Sequence, residues 1–530
     1  MIRPRSGNGL SRCAVALAVA AFAVLCAVVL RTAPRLVAPD DYAYRASVVA
    51  VTDGHLLTLS TGQVRALATQ LTRSAGPSRA VLTGPGPLGG SIEQWVQLAN
   101  GRWISEKDPG YPFLAAPFQQ LGVIRLAPLF YAALGCLGLF AGARRWLGWL
   151  GGTAAVWLFC SSGAALLFAW RNYLPTFIDA SLIAAGTGAL LWALLAEQAS
   201  PRRRTAIGLL AFGAMEAAVF ARYTDVVVLG CAVVTVLALR WRDAARIPAA
   251  ALRWCLGSVA LFAVGVAAFN DRVYGGPFAS GYRPGEVTFS LGAIPVNLRY
   301  MPAHLIQAMP MLALGLAAVA WICARRRHSG PDIRRDFAVA LTLVASWFSV
   351  WGLYAAYTWT TQPGLSTPAA VRFYVPALGP IALLGAWLLV RGPLLVHSPR
   401  GTMLAAAASA AVAIAMFGLG GWAFSDMPSF RPPSPPPGRC NIGEPGCPTA
   451  PAPAAAYSSR PAEAPRSVLD KEKNLAGTGR GSRPGHQPRH AGADVAGYNR
   501  TAENIFRNFR KTAMIRSMTW RFVCDQDPSG

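Results

Sequence analysis

Apolar runs of about twenty residues recur along this chain, and every second gap between them carries a knot of arginines. The runs fall near 13–30, 121–142, 147–168, 177–196, 206–221, 225–240, 251–270, 302–323, 337–357, 374–390 and 402–424. Within lipid each backbone N–H and C=O must find a partner in its own segment, which leaves a helix as the structure for such a run. The knots are Arg144 and Arg145, Arg202 to Arg204, Arg240 to Arg246, Arg325 to Arg327, and Arg391 to Arg400. Alternation of this kind places them, with the N-terminus, on the cytoplasmic side. The expected fold is an all-α polytopic membrane protein of about eleven transmembrane helices. A charged fraction of 14% agrees, because a soluble chain carries about 25%. The net charge of +25 would suit nucleic acid if it were gathered on one face, but it is dispersed among the gaps, so no nucleic-acid partner is expected.

The first run follows Arg3, Arg5 and Arg12 and leads into Arg31-Thr32-Ala33-Pro34-Arg35, with no small-x-small cleavage site, so it reads as a retained span. A large extracytoplasmic loop, 31–120, comes next. In it Val64, Leu67, Ala68 and Leu71 fall at helical spacing, as in a short amphipathic helix lying on the membrane or packed on a small loop domain. The multi-span domain is expected over 1–424, a Pro/Ala-rich disordered linker over 425–493, and a short basic extracytoplasmic tail over 494–530 that forms at most one amphipathic helix. Cys13, Cys26, Cys136, Cys160, Cys231, Cys255 and Cys323 sit in or beside the runs as small apolar residues. Cys440 and Cys447 are placed to pair if the tail is outside, leaving Cys524 as an odd thiol. Glu216 is the clearest charge inside a run, and its cost calls for a partner on a neighbouring helix or a cavity to line.

Three outward segments carry candidate chemistry. Asp40 and Asp41 sit at the water–membrane boundary just past the first run. Adjacent carboxylates there serve as a general base, hold a divalent cation beside a phosphate, or cap a helix. Glu106, Lys107 and Asp108 precede the turn Pro109-Gly110-Tyr111-Pro112, where the lysine either meets a phosphate or snorkels. The Gly-rich stretch Tyr274 to Arg283 lets backbone approach a ligand closely. Arg171, Arg222 and Arg372 stand at outer ends of runs, against the orientation rule. Each is then paired with a carboxylate, as Arg222 with Asp225, held for an anion such as a lipid phosphate, or simply snorkelling to the interface.

The order of these features resembles the GT-C fold of membrane glycosyltransferases. The likeness is greatest to the bacterial proteins similar to dolichyl-phosphate-mannose protein mannosyltransferases and to the aminoarabinose transferase group. Its carriers are the acidic pair at 40–41, the stretch Lys107 to Phe118, Arg222-Tyr223, Tyr274 to Tyr282, and Arg372 to Pro376. Where such loops often have Asp-Glu, this chain has Asp-Asp. The resemblance implies transfer of a sugar from a polyprenyl-phosphate carrier to an extracytoplasmic glycan, lipid or protein, by inverting displacement. It makes Asp40 the catalytic base, with Asp41 as the alternative. Lys107, Arg222 and Arg372 would hold the lipid phosphate, and Tyr282 and Arg283 would line the same cavity. No nucleotide sugar is implied, and a divalent cation is left open. The implied setting is a bacterial cytoplasmic (inner) membrane. Two other readings of the residues are a transporter or flippase of a polyprenyl-linked lipid, and a non-enzymatic envelope-assembly protein.

Overall fold

The computed structural model describes residues 8–32, 36, 39–75, 83–84, 91–92, 94–98, 100–241, 249–282, 287–325, 331–361, 368–394 and 399–426. The expected linker and tail beyond Asp426, Cys440, Cys447, Cys524 and Arg283 lie outside the described residues.

Helix α1 (Asn8–Arg31) is followed by α2 (Pro39–Thr52) and α3 (Thr61–Ala75). Two antiparallel strand pairs come next, β1 (Thr83–Gly84) with β2 (Ser91–Ile92) and β3 (Trp95–Gln97) with β4 (Trp103–Ser105). After α4 (Gly110–Gln120) the bundle comprises α5 (Ala127–Leu147), α6 (Trp149–Ser161), α7 (Gly163–Phe168), α8 (Thr176–Leu195), α9 (Pro201–Ala221) and α10 (Val226–Trp241). It continues with α11 (Ala249–Tyr274), α12 (Ile294–Ala308), α13 (Leu312–Arg325), α14 (Pro331–Ala355), α15 (Leu378–Leu394) and α16 (Pro399–Asp426).

Every expected run is helical, but fewer are full spans than expected. Among the described residues eight helices are long and apolar enough to cross a membrane, or nine if a bent pair counts as one span. Two runs yield shorter apolar helices, Trp149–Ser161 and Tyr223–Leu239. The first is interrupted because the Ser162 hydroxyl accepts the Ala165 N–H and starts α7. The run expected at 302–323 is two helices meeting at 104°. Its break holds Met309 and Pro310; proline offers no N–H and pushes the residue before it out of helical geometry.

The centre of the bundle is the α5–α8 contact. A Cβ added at Gly138 would stand 2.5 Å from the Ala185 carbonyl oxygen, so the two backbones touch where a larger side chain would hold them apart. Helix α8 is the most enclosed span, whereas α11 and α16 are covered least and face outward. At one end of the bundle both oxygens of Asp336 accept indole N–H groups, from Trp146 at 2.7 Å and Trp387 at 2.8 Å, tying α5, α14 and α15. Glu216 finds its partner on a neighbouring helix, as its burial requires: Ser258 of α11 donates to it at 3.0 Å.

The first loop is a small domain with its own core. Helix α3 starts with a reciprocal cap, Ser60 N–H to Gln63 Oε1 at 2.8 Å and Gln63 N–H to Ser60 Oγ at 3.3 Å. Its Val64, Leu67 and Ala68 pack on Tyr42, Leu59, Trp95 and Trp103. The apolar stripe therefore faces protein, which is the loop-domain alternative of the two left open.

Candidate active site

The segments that carried the sequence reading meet at one end of the bundle. Helices α5, α10, α13 and α15 end, and α9 begins, at arginine clusters; α9 reaches Arg222 at its other end. The site thus lies opposite the clusters.

Asp40 and Asp41 occupy the first turn of α2, where carboxylates suit the helix dipole. Successive helical residues point about 100° apart, so the two diverge. Asp41 turns inward onto Arg171, Oδ2 to Nη2 2.7 Å, and both side chains are buried. Asp40 turns to a partly open face and binds two cations. Lys107 Nζ lies 3.2 Å from Oδ1 and Arg372 Nη1 2.9 Å from Oδ2. Gln94 adds a side-chain N–H to Oδ1 at 3.0 Å. Among the described residues, capping does not account for such partners.

Lys107 is set by the loop that runs from β4 into α4. Its backbone N–H binds Ser105 Oγ at 3.1 Å, and its ammonium also reaches Glu106 at 3.2 Å. The Gly-rich stretch packs directly on this loop: a Cβ at Gly281 would stand 2.5 Å from Glu106 Cα. Glycine there lets Tyr282 slide beneath Lys107, whose Nζ lies 5.1 Å from the ring centroid. Lys107 is therefore no snorkelling side chain; its partners are acids and a ring.

Arg372 projects from a short turn, Pro368–Phe373, and lies over the rings of Phe373 (4.9 Å) and Trp359 (5.6 Å). Arg222 ends α9 in extended geometry, φ −156° and ψ 101°. Its ion-pair partner is Asp179 of α8, Nη1 to Oδ2 3.3 Å, rather than the expected Asp225, whose N–H instead binds the Arg222 carbonyl. The same guanidinium donates to the Arg372 carbonyl at 3.3 Å, so the two arginines are linked. All three outer arginines therefore have acidic partners, which sequence spacing alone could not assign.

These partners set the charges. Burial opposes ionisation of Asp40, but Arg372 and Lys107 outweigh it and, with the Gln94 hydrogen bond, hold the carboxyl well below the usual carboxylate range. Lys107 stays charged because Asp40 and Glu106 overcome its burial. Asp108, which the sequence reading noted without giving it a role, behaves oppositely: burial pushes its carboxyl up to about 6 against the pull of Arg222 and Lys107. Its signal in the sequence was its place beside Lys107. Among the described residues no three His, Cys, Asp or Glu side chains converge to hold a metal ion.

No family model and no curated protein matches the chain. Solved structures similar to it include ArnT from Cupriavidus metallidurans bound to undecaprenyl phosphate, at 15% identity and TM-score 0.46, covering 80% of this chain and 76% of that one. Another is the oligosaccharyltransferase of Archaeoglobus fulgidus in the apo form, at 11% identity and TM-score 0.42, covering 77% of this chain and 56% of that one. Both are GT-C fold membrane glycosyltransferases, the group that the sequence motifs resemble. At TM-scores below 0.5 the likeness carries no argument of its own.

Proposed function

We propose that this chain is a membrane glycosyltransferase that moves a sugar from a polyprenyl-phosphate carrier to an acceptor hydroxyl on the extracytoplasmic side of a bacterial inner membrane. The observation that carries the reading is one carboxylate, Asp40, held by both Lys107 and Arg372 with Arg222 linked behind. A planar guanidinium and an ammonium aimed at one spot suit a phosphate as well as a carboxylate.

In this reading the donor phosphate draws Lys107, Arg372 and Arg222 to itself. That releases Asp40, whose basicity then rises toward the ordinary carboxylate value. An acceptor hydroxyl attacks the anomeric carbon from the face opposite the phosphate. The new C–O bond forms as the C–O bond to phosphate breaks, and lipid phosphate departs with that electron pair. Asp40 takes the hydroxyl proton; Asp41, engaged with Arg171, is the weaker choice. Tyr282, beneath Lys107, would line the sugar's position together with Arg283. The acceptor is a glycan, lipid or protein of the envelope.

Envelope glycans and lipid-linked sugars of a deletion strain test this. The expected result is accumulated donor and missing product, restored by the wild-type chain and not by Asp40→Asn at equal abundance. Full restoration by Asp40→Asn would remove Asp40 from the chemistry. An unchanged glycan and lipid profile on deletion would remove the function.

A further inference from the structure

Asp40 has a third partner, and that one carries no charge. In the proposed reaction Lys107 and Arg372 turn to the donor phosphate, which would leave the carboxylate free to rotate. The side-chain N–H of Gln94 reaches Asp40 Oδ1 at 3.0 Å. A neutral amide gains far less from a phosphate than an ammonium or guanidinium does, so this hydrogen bond outlasts the two ion pairs.

We infer that Gln94 is the positioning residue for the base: it holds Oδ1 once the cations have left, so that Oδ2, released by Arg372, takes the acceptor proton. The inference rests on the glycosyltransferase reading and adds the group that aims Asp40. The balance is that of the transfer itself. The acceptor O–H proton goes to Oδ2, the acceptor O–C bond forms, and the C–O bond to phosphate breaks with its electron pair leaving on phosphate.

Two costs at Gln94 point to this role rather than to support of the fold. Its φ is +62°, in the left-handed region that a side chain of this size seldom adopts. Its Oε1 is buried and, among the described residues, has no hydrogen-bond partner. The amide cannot be turned about to relieve that, because its oxygen would then face the carboxylate. An apolar side chain of the same length would avoid the second cost altogether. Strain and an orphaned acceptor at one residue belong where geometry is kept at the expense of stability.

The surroundings fix both ends of the hydrogen bond. The Gln94 carbonyl accepts the Glu106 N–H at 2.9 Å, one step beyond the Trp95–Ser105 pair of β3 and β4. Ser105 in turn holds the Lys107 N–H. Trp95 packs in the loop-domain core with Tyr42, Ala43 and Ala46 of α2, the helix that presents Asp40. Gln94 and Asp40 therefore stand on one core, separate from the turn that brings Arg372.

Membranes of the deletion strain, expected to hold accumulated donor and unmodified acceptor, supply both substrates to the purified full chain. Gln94→Met removes the amide and keeps the length. Transfer is expected to fall on the order of a hundredfold. The thermal midpoint should hold or rise, since the orphaned oxygen is gone. Affinity for undecaprenyl phosphate, the probe of the phosphate site, should stay at the wild-type value. In Gln94→Glu the introduced carboxyl donates to Oδ1 only when protonated, and ionised it repels Asp40. Its transfer relative to wild type should therefore fall as pH rises, by up to about tenfold per unit. A wild-type rate in Gln94→Met would overturn the inference, and so would loss of midpoint and lipid binding along with the rate. A flat relative pH profile in Gln94→Glu counts against it equally. All three leave the glycosyltransferase reading standing, whereas absence of transfer by the wild-type chain removes both. Should Gln94→Met not accumulate, Gln94→Asn replaces it: asparagine suits a positive φ, but its amide stops a methylene short of Asp40. The same loss of transfer is expected there, and an undiminished rate would be as decisive against the inference.

Discussion

Arg372 Nη1 lies 2.9 Å from Asp40 Oδ2 while Lys107 occupies the other oxygen at 3.2 Å, so the carboxylate proposed to take a proton is also the group that fixes two cations in place. In the proposed function, the site is thus arranged around a charge that the substrate's phosphate would supply instead.

Removing either cation should therefore harm transfer more than folding. Arg372→Ala and Lys107→Ala are each expected to lower the rate on the order of a hundredfold, the scale of losing one donor to a developing charge. Arg372→Lys should recover only part, since ammonium neither forks nor stacks as guanidinium does over Phe373 and Trp359. Transfer measured in membranes at equal protein abundance checks this; rates near wild type would count against the phosphate role.

Asp41 and Arg171 should behave the other way. Their pair is buried, so removing one partner strands a charge, at a cost of roughly 3–5 kcal/mol. Asp41→Ala should lower the thermal midpoint in detergent, and what remains folded should transfer sugar at the wild-type rate per molecule. Loss of transfer with stability intact would return Asp41 to the chemistry.

Gly281→Ala probes the packing that sets Lys107. The added methyl meets the Glu106 backbone, which cannot yield as a flexible side chain would, so Tyr282 and Lys107 must shift. Displacing a positioning group by about an ångström costs on the order of a hundredfold in rate. A variant with wild-type kinetics would show that the two loops move independently.

Stability should also respond to pH through Asp108. Its carboxyl is raised to about 6, so between the ordinary aspartate value near 4 and pH 6 the folded state binds more protons than the unfolded one. Stability then falls as pH rises through that window. Asp108→Asn removes the penalty, so the variant should be the more stable at pH 7 and equal to wild type near pH 4. Asp40 contributes with the opposite sign: its carboxyl is depressed, and the stability it adds is present above pH 4 and lost as pH falls below. Thermal melts of both proteins across pH 4–8 decide the matter.

Span positions were legible because lipid leaves a long apolar run little choice but helix. Span lengths were less so, since Ser162 and Pro310 act through a hydroxyl and a missing N–H that hydropathy does not register. Asp40, Lys107 and Arg372 could be named in advance because charge at a membrane boundary needs a reason. Their partners could not. That Asp41 faces Arg171 follows from a 100° helical step plus the docking of a segment far along the chain, and Arg222 prefers Asp179 to the nearer-in-sequence Asp225 for the same reason. Asp108 has no sequence signal of its own because its environment is made by Arg222 and by four tyrosines from three separate segments.

The link from Arg222 to the Arg372 carbonyl bears on how the protein is made. Helix α9 is inserted well before the turn that carries Arg372 leaves the ribosome. Until then Arg222 has Asp179 as its ion-pair partner, and Asp40 has the lysine and Gln94 of its own loop. If the proposed function holds, the site is closed only after α14 has been made, so a nascent chain stalled ahead of that turn should insert most of its bundle while remaining inert toward lipid-linked sugars.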